Sequence, residues 1–147
     1  MRIVLLLALI ALSGCGDQRP GLDPAFQPYA ERFIQDAAQN NKTIALESLS
    51  IQFMDTANLT QTGISFGNCT NGTVSILKSY WDATSEAGRE AILYHELGHC
   101  ALHRPHLGGF NEQLQIPLSV MVSDSSMVDF YWQSNRAYYI QELFTQN

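Results

Sequence analysis

The stretch YHELGHCALHRPH, Tyr94 to His106, holds all four histidines of a 147-residue chain. It closes a longer segment, DATSEAGREAILYHELGHCALHR, that reads as one helix. Thr84 or Ser85 is placed to cap it, and Glu86 falls in the first turn, where the helix dipole favours a negative charge. From Ala87 to Leu102 the only charged or imidazole side chains are Arg89, Glu90, His95, Glu96 and His99. A helix apolar on nearly every side is a buried one. Ionisable groups inside it cost on the order of several kcal/mol unless something satisfies them.

The spacing says what that something is. Positions i and i+4 of a helix point within about 40° of each other. His95 and His99 can therefore offer two imidazole nitrogens to one cation, while Glu96 occupies the neighbouring flank. Two ligands and a carboxylate base on one rigid element form the His-Glu-x-x-His arrangement of zinc hydrolases. Zinc is the expected cofactor, with Glu96 as the general base that takes a proton from the attacking water and gives it to the leaving amine.

A catalytic zinc needs a third protein ligand and one open position. His103 and His106 compete for that place. His103 lies about 12 Å from His95 along a continuous helix, too far for a compact site. Pro105 disfavours helix at Arg104, so the chain is expected to leave the helix near His103 and present His106 from a loop. His106 is the expected ligand, and His103 a residue of the helix end.

HELGHCALHRPH resembles the metzincin signature His-Glu-x-x-His-x-x-Gly-x-x-His within the zincin class. It departs from that signature at Leu102, where the glycine would stand, and at Pro105, which puts the third histidine one residue late. It is more similar to a group of small bacterial metallopeptidases, often lipoproteins, that carry HELGHC-x-L-x-R-x-H. His95, Glu96, Leu97, Gly98, His99, Cys100, Leu102, Arg104 and His106 match that pattern. The segment Ser119-Val120-Met121 resembles the Met-turn beneath a metzincin metal, which implies that Met121 is a hydrophobic floor and not a ligand. Some metzincins place a tyrosine two residues after that methionine; here Ser123 stands there, and Tyr131, Tyr138 and Tyr139 are unranked candidates for its role. The resemblance is best over residues 73 to 147.

Other residues take positions relative to this motif. Gly98 costs roughly 1 kcal/mol in a helix interior, which suggests another element packed closely against it. Cys100 points away from the metal face. With Cys69 it forms an even pair that reads as a disulfide in an oxidising compartment, the alternative being two separate buried thiols. Asp124, Asp129 and Glu142 are candidate hydrogen-bond partners for the imidazole N–H groups.

The start of the chain points to that compartment. Arg2 precedes the apolar run IVLLLALIAL, which is too short to span a bilayer as a helix. Leu12-Ser13-Gly14-Cys15 resembles the lipobox of bacterial lipoprotein precursors. Residues 1–14 are then a signal peptide, Cys15 carries lipid, and residues 15–23 tether residues 24–147 to a membrane of the cell envelope. Eight basic against fourteen acidic residues make a net charge of −6, one unit more negative without Arg2, which argues against a nucleic-acid partner. The expected partners are a peptide or protein substrate and the membrane reached through the lipid, and a monomer is the expected state.

Elsewhere, residues 24–41 have helical periodicity. Leu49–Asp55 alternates like a strand, and residues 62–68 and 72–81 are two more strand candidates flanking the turn signal Asn71-Gly72. The strand TVSILKS, 73–79, is expected to be an edge that pairs with an extended peptide, and residues 137–144 to form a terminal helix. The fold class is α+β: a zincin-like (metzincin-like) single domain with a small mixed or antiparallel sheet and a buried active-site helix. The expected function is a lipid-anchored zinc metallopeptidase. The same residues also suit a zinc-binding lipoprotein without turnover, a zinc hydrolase acting on a non-peptide or cell-wall amide, or a structural lipoprotein whose histidines are fortuitous.

Overall fold

Apolar residues that recur every three or four positions build the first helix. A computed structural model describes residues 20–56, 58–60, 63–124 and 126–145, with the side chains of 58–60, 63–64 and 126–128 excepted. The expected signal peptide, Cys15 and the tether up to residue 19 lie outside the described residues. Asp23 caps a 3-10 turn, Pro24–Phe26, through Ala25 N–H to Oδ1 (2.9 Å), and α1 (Gln27–Gln39) follows directly. It buries Tyr29, Ala30, Phe33 and Ala37.

Three strands form the main sheet in the order β1 (Ser50–Met54), β5 (Thr73–Leu77), β4 (Gly67–Thr70). β1 and β5 run parallel, with Ile51 opposite Val74, whereas β4 and β5 are antiparallel. Asn71 (φ 51°) and Gly72 (φ 76°) make the two-residue turn between β4 and β5, a conformation that Asn and Gly adopt at low cost. A separate pair, β2 (Asn58–Thr60) with β3 (Gly63–Ser65), lies between β1 and β4 in the chain.

The strand expected at the edge is the central one. Val74, Ser75, Ile76 and Leu77 are all buried, so β5 is covered on both faces and paired on both sides, and it has no free backbone for a peptide. The strand expected through Trp81 ends at Leu77, and Lys78–Ala83 forms α2. There Lys78 pairs with Asp82 one turn on, and Trp81 turns inward to meet Phe26, Tyr29 and Phe53 at ring-centroid distances of 4.7, 5.1 and 5.8 Å. The segment read as one strand over 62–68 divides at Phe66, whose ring stacks on Tyr80 (4.5 Å), so β3 and β4 belong to different sheets.

α3 (Glu86–Leu102) packs against β4, β5, α1 and α4 (Ser126–Thr145). Ser85 Oγ caps it by accepting from Gly88 N–H (3.1 Å). A small hairpin, β6 (Phe110–Asn111) with β7 (Ile116–Pro117), separates α3 from α4. The terminal helix is longer than residues 137–144 because Trp132, near its start, is buried and donates Nε1–H to Glu90 Oε2 (2.7 Å); the helix breaks at Asn135 (φ −128°). Glu90 also accepts from Arg136 Nε (2.9 Å) and Arg32 Nη1 (3.1 Å), which ties α1, α3 and α4 together. Burial alone would raise the Glu90 carboxyl, but the bonds from Arg136 and Trp132 outweigh it and hold the group below its ordinary value.

Cys69 of β4 and Cys100 of α3 form a disulfide across a sequence separation of 31 residues. Closing a loop of that length limits the unfolded chain, and its removal should cost about 3–4 kcal/mol. In urea unfolding the double Cys69→Ser, Cys100→Ser variant should lose that much; an unchanged midpoint would show that the bond adds nothing to stability.

Candidate metal centre

α3 delivers two imidazoles and the loop after it delivers a third. His95, His99 and His106 place one nitrogen each within 4.8 Å of one another. Their ring centroids are 4.8 Å (95–99), 5.3 Å (95–106) and 4.7 Å (99–106) apart. His95 is buried, His99 half-buried and His106 exposed. His103 is not among them. It adopts a left-handed conformation (φ 55°, ψ 31°) that ends α3, and Arg104 N–H bonds back to the Gly98 carbonyl (3.0 Å). Leu102 is still helical, so no glycine is needed there. The reversal and the third histidine are both displaced by one residue relative to the metzincin spacing.

The tautomers follow from the backbone. His95 Nδ1–H donates to the Val120 carbonyl and His99 Nδ1–H to the Arg104 carbonyl, both at 2.7 Å. A carbonyl only accepts, and a neutral imidazole has one N–H, so the Nε2 atoms of both rings carry lone pairs. Those Nε2 atoms face each other at 3.1 Å. No proton lies between them to make a hydrogen bond. Two nitrogens bound at 2.0–2.1 Å to a tetrahedral zinc stand roughly 3.3 Å apart, close to the spacing seen here. Burial, the largest influence, together with the neighbouring imidazoles pushes His95 down to about 4, against the Val120 bond; burial likewise lowers His99. Both rings are therefore held in the neutral, ligating form at pH 7.

Glu96 is buried, and its carboxyl lies against Gly67 of β4. A Cβ at Gly67 would stand 2.6 Å from Glu96 Oε1, so the strand can pass this close only without a side chain. Burial pushes the Glu96 carboxyl up to about 8.

The turn through Ser119, Val120 and Met121 packs against α3 at Gly98 and His95. Met121 is buried, and its sulfur packs on Gly98, where a Cβ would overlap it. Val120 supplies the carbonyl for His95, and the Met121 carbonyl accepts Leu107 N–H (2.8 Å) beside His106.

Two of the three carboxylates considered as imidazole partners, Asp129 and Glu142, are bonded elsewhere. Asp129 accepts from Tyr80 Oη and from Thr84 Oγ1, Glu142 binds Arg104 and Ser119, and Asp124 is exposed. Backbone carbonyls take their place at His95 and His99, and a carbonyl has no residue type for a sequence pattern to show. Tyr138 Oη donates to the Leu118 carbonyl (2.8 Å), Tyr139 stacks on Trp132 in the core (5.7 Å), and Tyr131 meets Phe130. No protein-family model, curated protein or solved structure matches the chain.

Glu96 makes the metal-free protein sensitive to pH. Its folded value of about 8 against an ordinary 4.5 means that the folded state keeps a proton the unfolded chain has released. That advantage is complete below the ordinary value and is lost as pH rises toward 8. His95 titrates with the opposite sign, but only below about 6.5. In chelator-treated protein, stability should fall by about 1–2 kcal/mol between pH 6.5 and 8, and Glu96→Gln should flatten the decline. An equal decline in that variant would assign it to another group.

Proposed function

We propose that this chain is a zinc-dependent peptide hydrolase with a zincin-like fold, tethered to the cell envelope through lipid on Cys15. The observation that supports this reading best is the convergence of His95, His99 and His106 beside the buried carboxyl of Glu96. The donor set is three imidazoles, which suits zinc and leaves a fourth position for water or substrate. Zinc held there supplies a Lewis acid that polarises a carbonyl and brings the pKa of water toward neutrality.

The side chains then divide the work. Glu96, whose carboxyl the charge of a bound zinc would draw back toward the ionised form, takes the proton from the attacking water and returns it to the leaving amine. Met121 packs beneath the ligand helix at Gly98 and keeps the floor apolar. β4 lies along α3 with its outer edge unpaired among the described residues, whereas the outer side of β1 is bridged by Leu22. An extended peptide pairing with β4 would run past Glu96 at Gly67. Clefts of about 290 Å³, lined by Leu102, Pro105, His106 and Leu107, and about 400 Å³, lined by Cys69, Gly72, His99 and Ala101, flank the imidazoles.

Purified wild type should bind one equivalent of zinc, His106→Ala should lose most of it, and His103→Ala should keep it. Glu96→Gln should retain zinc and lose hydrolysis of a proteome-derived peptide library by roughly 10²–10⁴-fold. Zinc binding without cleavage of any peptide by wild type would make the protein a metal-binding lipoprotein instead. Less than half an equivalent of zinc at neutral pH would remove the metal reading itself.

A further inference from the structure

We propose that Glu142, on α4, is a positioning residue that sets the separation of the His95 and His99 nitrogens without touching either ring; this rests on the metal reading of the histidine cluster. Glu142 is buried (6% exposed) and shares its two carboxylate oxygens between two different loops. Oε1 accepts from Arg104 Nη2 and Oε2 accepts from Ser119 Oγ, both at 2.6 Å. Arg104 Nη1 adds bonds to the carbonyls of Glu142 and Leu143, both 3.1 Å, and Ser119 Oγ accepts from Met121 N–H (2.9 Å).

Each loop carries the carbonyl that orients one ligand. Arg104 itself accepts from His99 Nδ1–H, and Val120, the residue after Ser119, accepts from His95 Nδ1–H. A single carboxylate thus sits two bonds behind each ring. If one loop shifts against the other, one imidazole turns with its carbonyl and the 3.1 Å between the Nε2 atoms changes. Charge-assisted bonds to a buried carboxylate are short and stiff, which suits this task better than neutral contacts. The Leu107 N–H bond to Met121 O is a second link between the same loops, so loss of Glu142 loosens the site without dissolving it.

A plain stabilising ion pair would make a different prediction. It would lower the population of folded protein and leave the zinc affinity of folded molecules unchanged. Zinc affinity should therefore be measured by chelator competition at a temperature where every variant is folded, with the visible spectrum of the cobalt-substituted protein as a readout of ligand geometry. Glu142→Ala should weaken zinc binding by roughly 10- to 100-fold and alter the cobalt spectrum. Glu142→Gln, which can still accept from Arg104 but cannot accept from Ser119 through its amide nitrogen, should fall between it and wild type. Ile140→Ala, a core truncation on the same helix, should lose stability but bind zinc within threefold of wild type. Wild-type affinity in both folded Glu142 variants would overturn the positioning role and leave the metal site standing. Failure of wild type to bind zinc would overturn both.

Discussion

Two imidazole lone pairs pointing at each other across 3.1 Å, on a buried helix, are the constraint on which the rest of this structure depends. Each ring spends its only proton on a backbone carbonyl, so neither can relieve the other by hydrogen bonding. A cation between them would convert a repulsive contact into two bonds. Burial also keeps the rings neutral by penalising their charged forms. The hydrophobic core therefore serves the site directly: it removes the competing proton that would otherwise occupy the nitrogen.

Holding that arrangement requires support from three directions. Gly98 lets Met121 press against the helix, and the turn that carries Met121 supplies the Val120 carbonyl. The left-handed His103 reverses the chain so that Arg104 can face back toward His99 while His106 joins the other two rings. On the far side, β4 passes over Glu96 at a glycine and is joined to α3 by the Cys69–Cys100 disulfide. Two of these contacts, Met121 on Gly98 and Cys69 with Cys100, join segments distant in sequence to the same helix.

The α+β class with a small sheet is legible in the sequence, because alternation in 49–55 and helical periodicity in 24–41 are strong local signals. The convergence of three histidines is legible for the same reason, since i, i+4 spacing and a proline-broken helix end are local. What escapes is set by tertiary packing. TVSIL alternates too little to reveal that it is central, and burial on both faces decides it. Lys78–Ala83 turns helical because Trp81 finds an aromatic cluster built by α1 and β1. The orienting groups of the site are main-chain carbonyls, and the residue behind them, Glu142, is 38 positions from Arg104. No spacing rule connects them.

X-ray absorption at the zinc edge of the metal-loaded protein reads whether these three rings bind one ion together. The expected spectrum has a first shell of nitrogen and oxygen at about 2.0–2.1 Å, with the outer-shell scattering of three imidazoles and no sulfur. A shell with sulfur at about 2.3 Å, or with one imidazole or none, would contradict it.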